Sequence, residues 1–199
     1  RSVQHEILED VRSIEDNVLN NLPLQLTSFV GRELEIAEIR SLLGKAKLVT
    51  LTGSGGCGKT RLALETARQL VESYQDGIWL IELASISDPT LVLQTVASIL
   101  GMPDSRDILS LTKHLRRKQI LLILDNCEQI ITAVAQLAEE ILRACPQVQI
   151  LVTSREILNL IGEVQFRVPS LSLSKEKSLS SNASSPSEAV QLFVDRAQA

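Results

Sequence analysis

The chain has 199 residues, enough for one domain of ordinary size and the start of a second. Its 44% hydrophobic and 22% charged residues are those of a globular protein, and a formal charge of -4 argues against a broad electrostatic grip on nucleic acid. Cys57, Cys127 and Cys145 follow no regular spacing, and His5 and His114 lie far apart, so neither a disulfide framework nor a zinc site is expected. No apolar run approaches the ~18 residues that span a bilayer, and no signal peptide is visible, so the expected location is the reducing cytoplasm, away from membranes. The chain starts at Arg1 and its single methionine is Met102. It reads as a piece of something longer.

Val3, Ile7, Val11, Ile14 and Val18 recur at helical steps and form a narrow apolar seam over residues 1–21. That seam suits a helix packed on its neighbour, a connector to an upstream domain, or a dimer contact. "NNLPLQLTSFVGRE" reads as a linker, with Pro23 opposing helix and Gly31 marking a turn. A helix is predicted over Glu33 to Leu43, then a strand in "KLVTLT" and a helix over "KTRLALETARQLVESY". "GIWLIELA" reads as a strand. "DPTLVLQTVASILG" reads as a helix capped by Asp88, with Pro89 in its first position and Gly101 as its stop. "DILSLTKHLRR" is another helix, and Arg116, Arg117 and Lys118 after it read as a solvated helix end. "QILLILD" is continuously apolar, as buried parallel strands are. A helix follows with Ile130, Val134, Leu137 and Ile141 on one face, then strands in "VQILVTS" and "VQFRV". From Ser170 to Ser187, nine of eighteen residues are serine, the composition of a flexible loop. Ser185, Pro186 and Glu188 then match a helix start, read as the first helix of a further domain over 188–199. Strands alternating with helices predict an α/β fold around a mostly parallel sheet.

"TGSGGCGKT", Thr52 to Thr60, carries four glycines in nine residues and fits G-x-x-x-x-G-K-[ST] at Gly53, Gly58, Lys59 and Thr60. Phosphates need many donors held close with little bulk, and glycines let successive N–H groups turn inward. A following helix adds free N–H groups and its dipole. The expected nucleotide-binding residues here are Gly53, Ser54, Gly55, Gly56, Cys57, Gly58, Lys59, Thr60 and Arg61. Lys59 would reach the β- and γ-phosphates, and the Thr60 hydroxyl would bind Mg²⁺. Cys57 has two readings: a small residue packed beneath the loop, or a thiol whose oxidation would block phosphate entry.

Two companions set the use of that loop. In "LLILDNCEQ", Asp125 ends a buried strand and is the candidate to hold Mg²⁺ through water. The next residue, Asn126, cannot serve as a base, which makes Glu128 the nearest alternative to orient an attacking water. Its other reading is a charge at a helix N-terminus. In "ILVTSR", Thr153, Ser154 and Arg155 end another predicted parallel strand, where ligands bind in open α/β sheets. Arg155 there can neutralise a γ-phosphate.

"FVGRE", "GSGGCGKT", "LLILDNCEQ" and "VTSRE", in that order, resemble the STAND class of P-loop ATPases. More narrowly, they are similar to the NB-ARC-like, AAA-like ATPase domain of bacterial signalling proteins and LuxR-like transcription regulators, over roughly 22–169. The resemblance implies a three-layer αβα sandwich with strand order 5-1-4-3-2. It implies that Val30, Gly31 and Arg32 border the adenine, Val30 and Arg32 largely through backbone contacts, and that Arg155 senses the γ-phosphate. It implies an ADP-bound resting state, exchange for ATP that drives assembly into a homo-oligomer, and slow hydrolysis that resets the switch. An upstream effector and downstream winged-helix and repeat sensor domains are its expected partners in a parent chain. Relatives that carry two adjacent acids at the Walker B strand differ from Asp125-Asn126 here.

Lys59, Asp125, Glu128 and Arg155 are thus the expected catalytic set, Thr60 and Asp125 the metal ligands, and ATP/ADP with Mg²⁺ the cofactors. A non-hydrolysing, nucleotide-stabilised scaffold is the alternative, favoured by Asn126. A GTPase or small-molecule kinase is a weaker one, since no N-K-x-D guanine-reading motif is present.

Overall fold

The computed structural model describes residues 19–24, 29 and 31–169. The amphipathic seam upstream, Val30, the Ser-rich stretch and the final helix lie outside the described residues. Helix α1 (Glu33–Leu43) leads to β1 (Leu48–Thr52), α2 (Lys59–Arg68) and β2 (Ile78–Glu82). Then come α3 (Leu91–Ile99), α4 (Ile108–Leu115), β3 (Ile120–Asp125), α5 (Ile131–Ala144), β4 (Val148–Ser154) and β5 (Glu163–Arg167).

The five strands are all parallel and lie in the order β2-β3-β4-β1-β5, the expected order written from the other edge. Every residue of β1 and β3 is buried, because helices cover both faces of the sheet. Alternate residues serve opposite faces. Ile120, Leu122 and Leu124 join the core beneath α3, α4 and α5, whereas Leu121 and Ile123 join the core beneath α1 and α2. Val134, Leu137 and Ile141 of α5 are buried in the first of these, as their helical spacing predicts. The register aligns Thr52 with Ser154 and Arg167, so the carboxyl ends of β1, β4 and β5 open on one rim. In such a sheet that rim is where ligands bind.

Two helices differ from the sequence pattern. Helix α3 starts at Leu91, because Asp88 accepts from the backbone N–H and hydroxyl of Thr90 and builds a turn with Pro89 ahead of the helix. Helix α2 ends at Arg68, and the chain tightens into a 3₁₀ turn at Val71–Ser73 before Tyr74 returns to the core. Asp107 does cap α4, accepting from Ser110 N at 2.8 Å.

The segment read as a linker is anchored at its start. Leu19 O accepts from Ile78 N at 3.0 Å. The Asn21 amide clasps Leu80, accepting from its N–H at 2.7 Å and donating to its carbonyl at 2.9 Å. Residues 19–21 thereby cover the free edge of β2, an edge that would otherwise be open to pairing with another chain. Gly77 permits the approach: its φ is 96°, and a Cβ there would stand 2.1 Å from Leu19 O. Gly77→Ala is therefore expected to destabilise the fold by at least about 1–2 kcal/mol through backbone strain alone. It should also release the upstream segment. Thermal unfolding with limited proteolysis near residue 20 checks this, and an unchanged melting temperature with unchanged cleavage would refute it.

Candidate functional site

The glycine loop leaves β1 at Thr52 and closes at Gly58, the residue before α2. Gly58 has φ 90° and no side chain caps the helix, so the first-turn N–H groups of α2 face the loop. Gly53 is required by contact: a Cβ there would lie 2.9 Å from Cys57 Sγ and 3.1 Å from Val168 O. Cys57 itself is 8% exposed and packs with Val49, Leu51 and Leu62. Ser54, Gly55 and Gly56 are exposed, and a Cβ on Gly56 would meet nothing within 4 Å. A loop so built, backed by a helix start and open to solvent, can hold an anion through backbone N–H groups. Lys59 Nζ lies over it, donating to Gly53 O and Ser54 O at 3.0 Å each.

Behind the loop, polar groups converge on Asp125. Its Oδ1 accepts from Thr60 Oγ1 at 2.7 Å and from Thr153 Oγ1 at 2.5 Å. Thr153 Oγ1 in turn accepts from Asn126 N at 3.0 Å. This joins the start of α2 to the ends of β3 and β4. Thr153 was legible in the sequence only as a strand end; its hydroxyl proves to be the hub.

Asn126 takes φ 63° and ψ 55°, the left-handed conformation that Asn tolerates better than other non-glycine residues. The reversal starts a 3₁₀ turn at Cys127–Gln129 and carries Glu128 into the cleft. Glu128 Oε1 pairs with Arg155 Nε at 3.3 Å, and its Oε2 is buried without a partner. The Cys127 thiol, pushed well up by burial with the Asp125 and Glu128 carboxylates adding, stays neutral and donates to Leu124 O at 3.3 Å. It pins the turn from below.

The cleft between these elements measures about 340 Å³. Phe29, Arg32, Lys59, Thr60, Glu128 and Arg155 are among its lining residues. Arg61 lies over the Phe29 ring at 5.8 Å from its centroid, which forms one wall. A larger depression of about 520 Å³, lined by Lys45, Lys47 and Ile161, holds none of the motif residues. The smaller cleft unites the glycine loop, the Glu128 carboxylate and four cations, Arg32, Lys59, Arg61 and Arg155, with the Asp125 partners Thr60 and Thr153 in its lining, so it is the candidate site.

Every described residue of the expected nucleotide-binding, catalytic and metal-binding sets lies in this cleft or adjoins a residue that lines it; Gly31, at φ 75°, precedes Arg32. Phe29 was missed, since a lone aromatic in a linker carries no periodic signal.

A family profile described as an AAA domain matches residues 41–166. An uncharacterized protein of Mycobacterium tuberculosis is 39% identical over 176 residues, covering 87% of this chain and 42% of that protein. A putative HTH-type transcriptional regulator of the same organism is 41% identical over 162 residues, covering 80% of this chain and 17% of the regulator. The chain thus spans less than half the length of either relative. Among solved structures, a signal transduction ATPase with numerous domains and a tetratricopeptide repeat sensor, from Pyrococcus horikoshii, superposes with a TM-score of 0.51. At 17% identity, over 75% of this chain and 24% of that one, the likeness is one of fold. With the glycine loop, the sheet order and the profile in agreement, the chain belongs to the AAA domain family of P-loop ATPases.

Proposed function

We propose that this domain is an adenine-nucleotide switch with slow, Mg²⁺-dependent ATP hydrolysis, acting inside a larger transcription regulator of the cytoplasm. The observation that carries the reading is the Thr60–Asp125–Thr153 network set directly behind the glycine loop. A buried carboxylate beside a hydroxyl at the foot of the loop offers the oxygen ligands that Mg²⁺ prefers. Mg²⁺ would be held by Thr60 and, through water, by Asp125, and it would supply charge neutralisation at the phosphates. Lys59 would turn from Gly53 O and Ser54 O to the β- and γ-phosphates. Gly31 and the Arg32 backbone would border the base, Arg155 would sense the γ-phosphate, and Glu128 would orient the attacking water.

A nucleotide switches a protein only through differential affinity for two states, and here the γ-phosphate would make the difference. The relatives' greater length supports further domains in a parent chain; these would be an upstream effector and downstream winged-helix and repeat sensor domains, and the ATP form would assemble into homo-oligomers. Nucleic-acid contact would fall to those other domains.

Titration calorimetry with ATP, ADP and GTP, with and without Mg²⁺, followed by single-turnover measurement of bound ATP, tests the proposal. Tight adenine-nucleotide binding with release of ADP over minutes to hours is expected. Absence of binding would overturn the reading. Tight binding with no turnover would favour the non-hydrolysing scaffold, to which Asn126 after Asp125 and the Glu128–Arg155 ion pair lend specific support.

A further inference from the structure

We infer that the side chain of Arg32 is a phosphate ligand, serving the part of the polyphosphate common to ADP and ATP; this rests on the nucleotide-switch reading. Arg32 is 5% exposed, yet among the described residues no carboxylate pairs with it. One guanidinium nitrogen, Nη2, donates to Pro169 O at 3.0 Å. The other, Nη1, is buried and has no partner. A buried cation with an unmet donor is costly, and such groups are normally satisfied by an anion.

The direction of the unmet donor identifies that anion. Nη1 lies 3.8 Å from where a Cβ on Gly58 would stand, at the end of the glycine loop that joins α2. Arg155 reaches the same loop from elsewhere, with Nη2 3.8 Å from a Cβ on Gly55. Two arginines therefore flank different points of one anion cradle. Arg155, paired with Glu128, stands on the hydrolytic side. Arg32 stands at the helix side, where the inner phosphates sit if the γ-phosphate is beside Arg155.

Backbone geometry agrees. Gly31 and Arg32 take φ 75° and 64°, two successive left-handed residues, and a non-glycine residue there is strained. In that conformation the Arg32 side chain lines the cleft. Its bond to Pro169 also ties the site to the chain leaving β5, where Val168 N donates to Thr52 O at 2.8 Å. Arg32 would thus link phosphate occupancy to whatever follows residue 169.

Arg32→Gln, which keeps a donor for Pro169 O but no charge, and Arg32→Met test this by titration with ADP and ATP. Each is expected to weaken both nucleotides alike, by about tenfold or more. The nucleotide-free melting temperature should stay level or rise, because an unpaired buried cation has been removed; a merely structural arginine would lower it. Arg155→Ala should weaken ATP more than ADP. Arg32 variants that bind ADP within about twofold of wild type, or that lose ATP alone, overturn the inference while leaving the switch reading intact. Failure of the wild type to bind either nucleotide overturns both, and is seen before any variant is made. If Arg32→Met does not fold, Arg32→Gln decides.

Discussion

Lys59→Ala is expected to lower the affinity for ATP by at least about a hundredfold and to leave the fold standing. A hydrogen bond to a charged group contributes roughly 1.5–3 kcal/mol, and Lys59 would make more than one to the phosphates. Its ammonium is placed for this and for little else. Half-buried at the start of α2, among the described residues it donates to Gly53 O and Ser54 O alone, both in the loop. Those bonds keep the cradle closed over its own cation, and the cost of losing them should stay near 1 kcal/mol. Titration of the variant with ATP and ADP, beside a thermal melt, separates the two effects. Unchanged affinity would refute the assignment of the loop; a collapsed melt would show that Lys59 holds the fold instead.

The parts legible in the sequence were those written in local pattern. A continuous apolar run named β3, because a strand buried on both faces admits no alternation, and short apolar, β-branched runs named β1 and β4. Glycine spacing named the loop, and Asp125 stood out as a charge ending an apolar strand. What could not be read was contact across the chain. The clasp of Asn21 on Leu80 joins residues 59 positions apart, and nothing in "NNLP" announces it. The bond from Arg32 to Pro169 spans 137 positions. Cap signals misled at Asp88, where an aspartate and a proline built a turn ahead of the helix rather than its first residue.

Asn126 shows the same limit in a more useful form. From sequence it is an acid missing beside Asp125, and it counts against hydrolysis. In the fold its left-handed backbone is what reverses the chain, and it brings the Glu128 carboxylate, two residues on, into the cleft. Thr153 holds that reversal by accepting from Asn126 N while donating to Asp125. The strand end, the turn and the acid are one unit.

Glu128→Gln is therefore expected to slow single-turnover hydrolysis by about 10²–10⁴-fold, the usual worth of a general base, with ATP affinity within about threefold of wild type. Glu128 Oε2 is buried and unpartnered, whereas Oε1 is held by Arg155, whose side chain is 69% exposed. An ion pair so open to solvent contributes little to stability. Its loss should leave the melting temperature level, or raise it slightly by removing the buried charge. That combination, intact binding with lost turnover and no loss of stability, is what distinguishes a base from a structural carboxylate. The pair also suggests why turnover would be slow: Glu128 would be available to water only when Arg155 has left it for the γ-phosphate. Arg155→Ala would then free Glu128 but remove the proposed γ-phosphate sensor, so it should lower ATP affinity relative to ADP without restoring turnover. An unchanged hydrolysis rate in Glu128→Gln would remove Glu128 from the mechanism and leave Asp125 and the scaffold reading in its place.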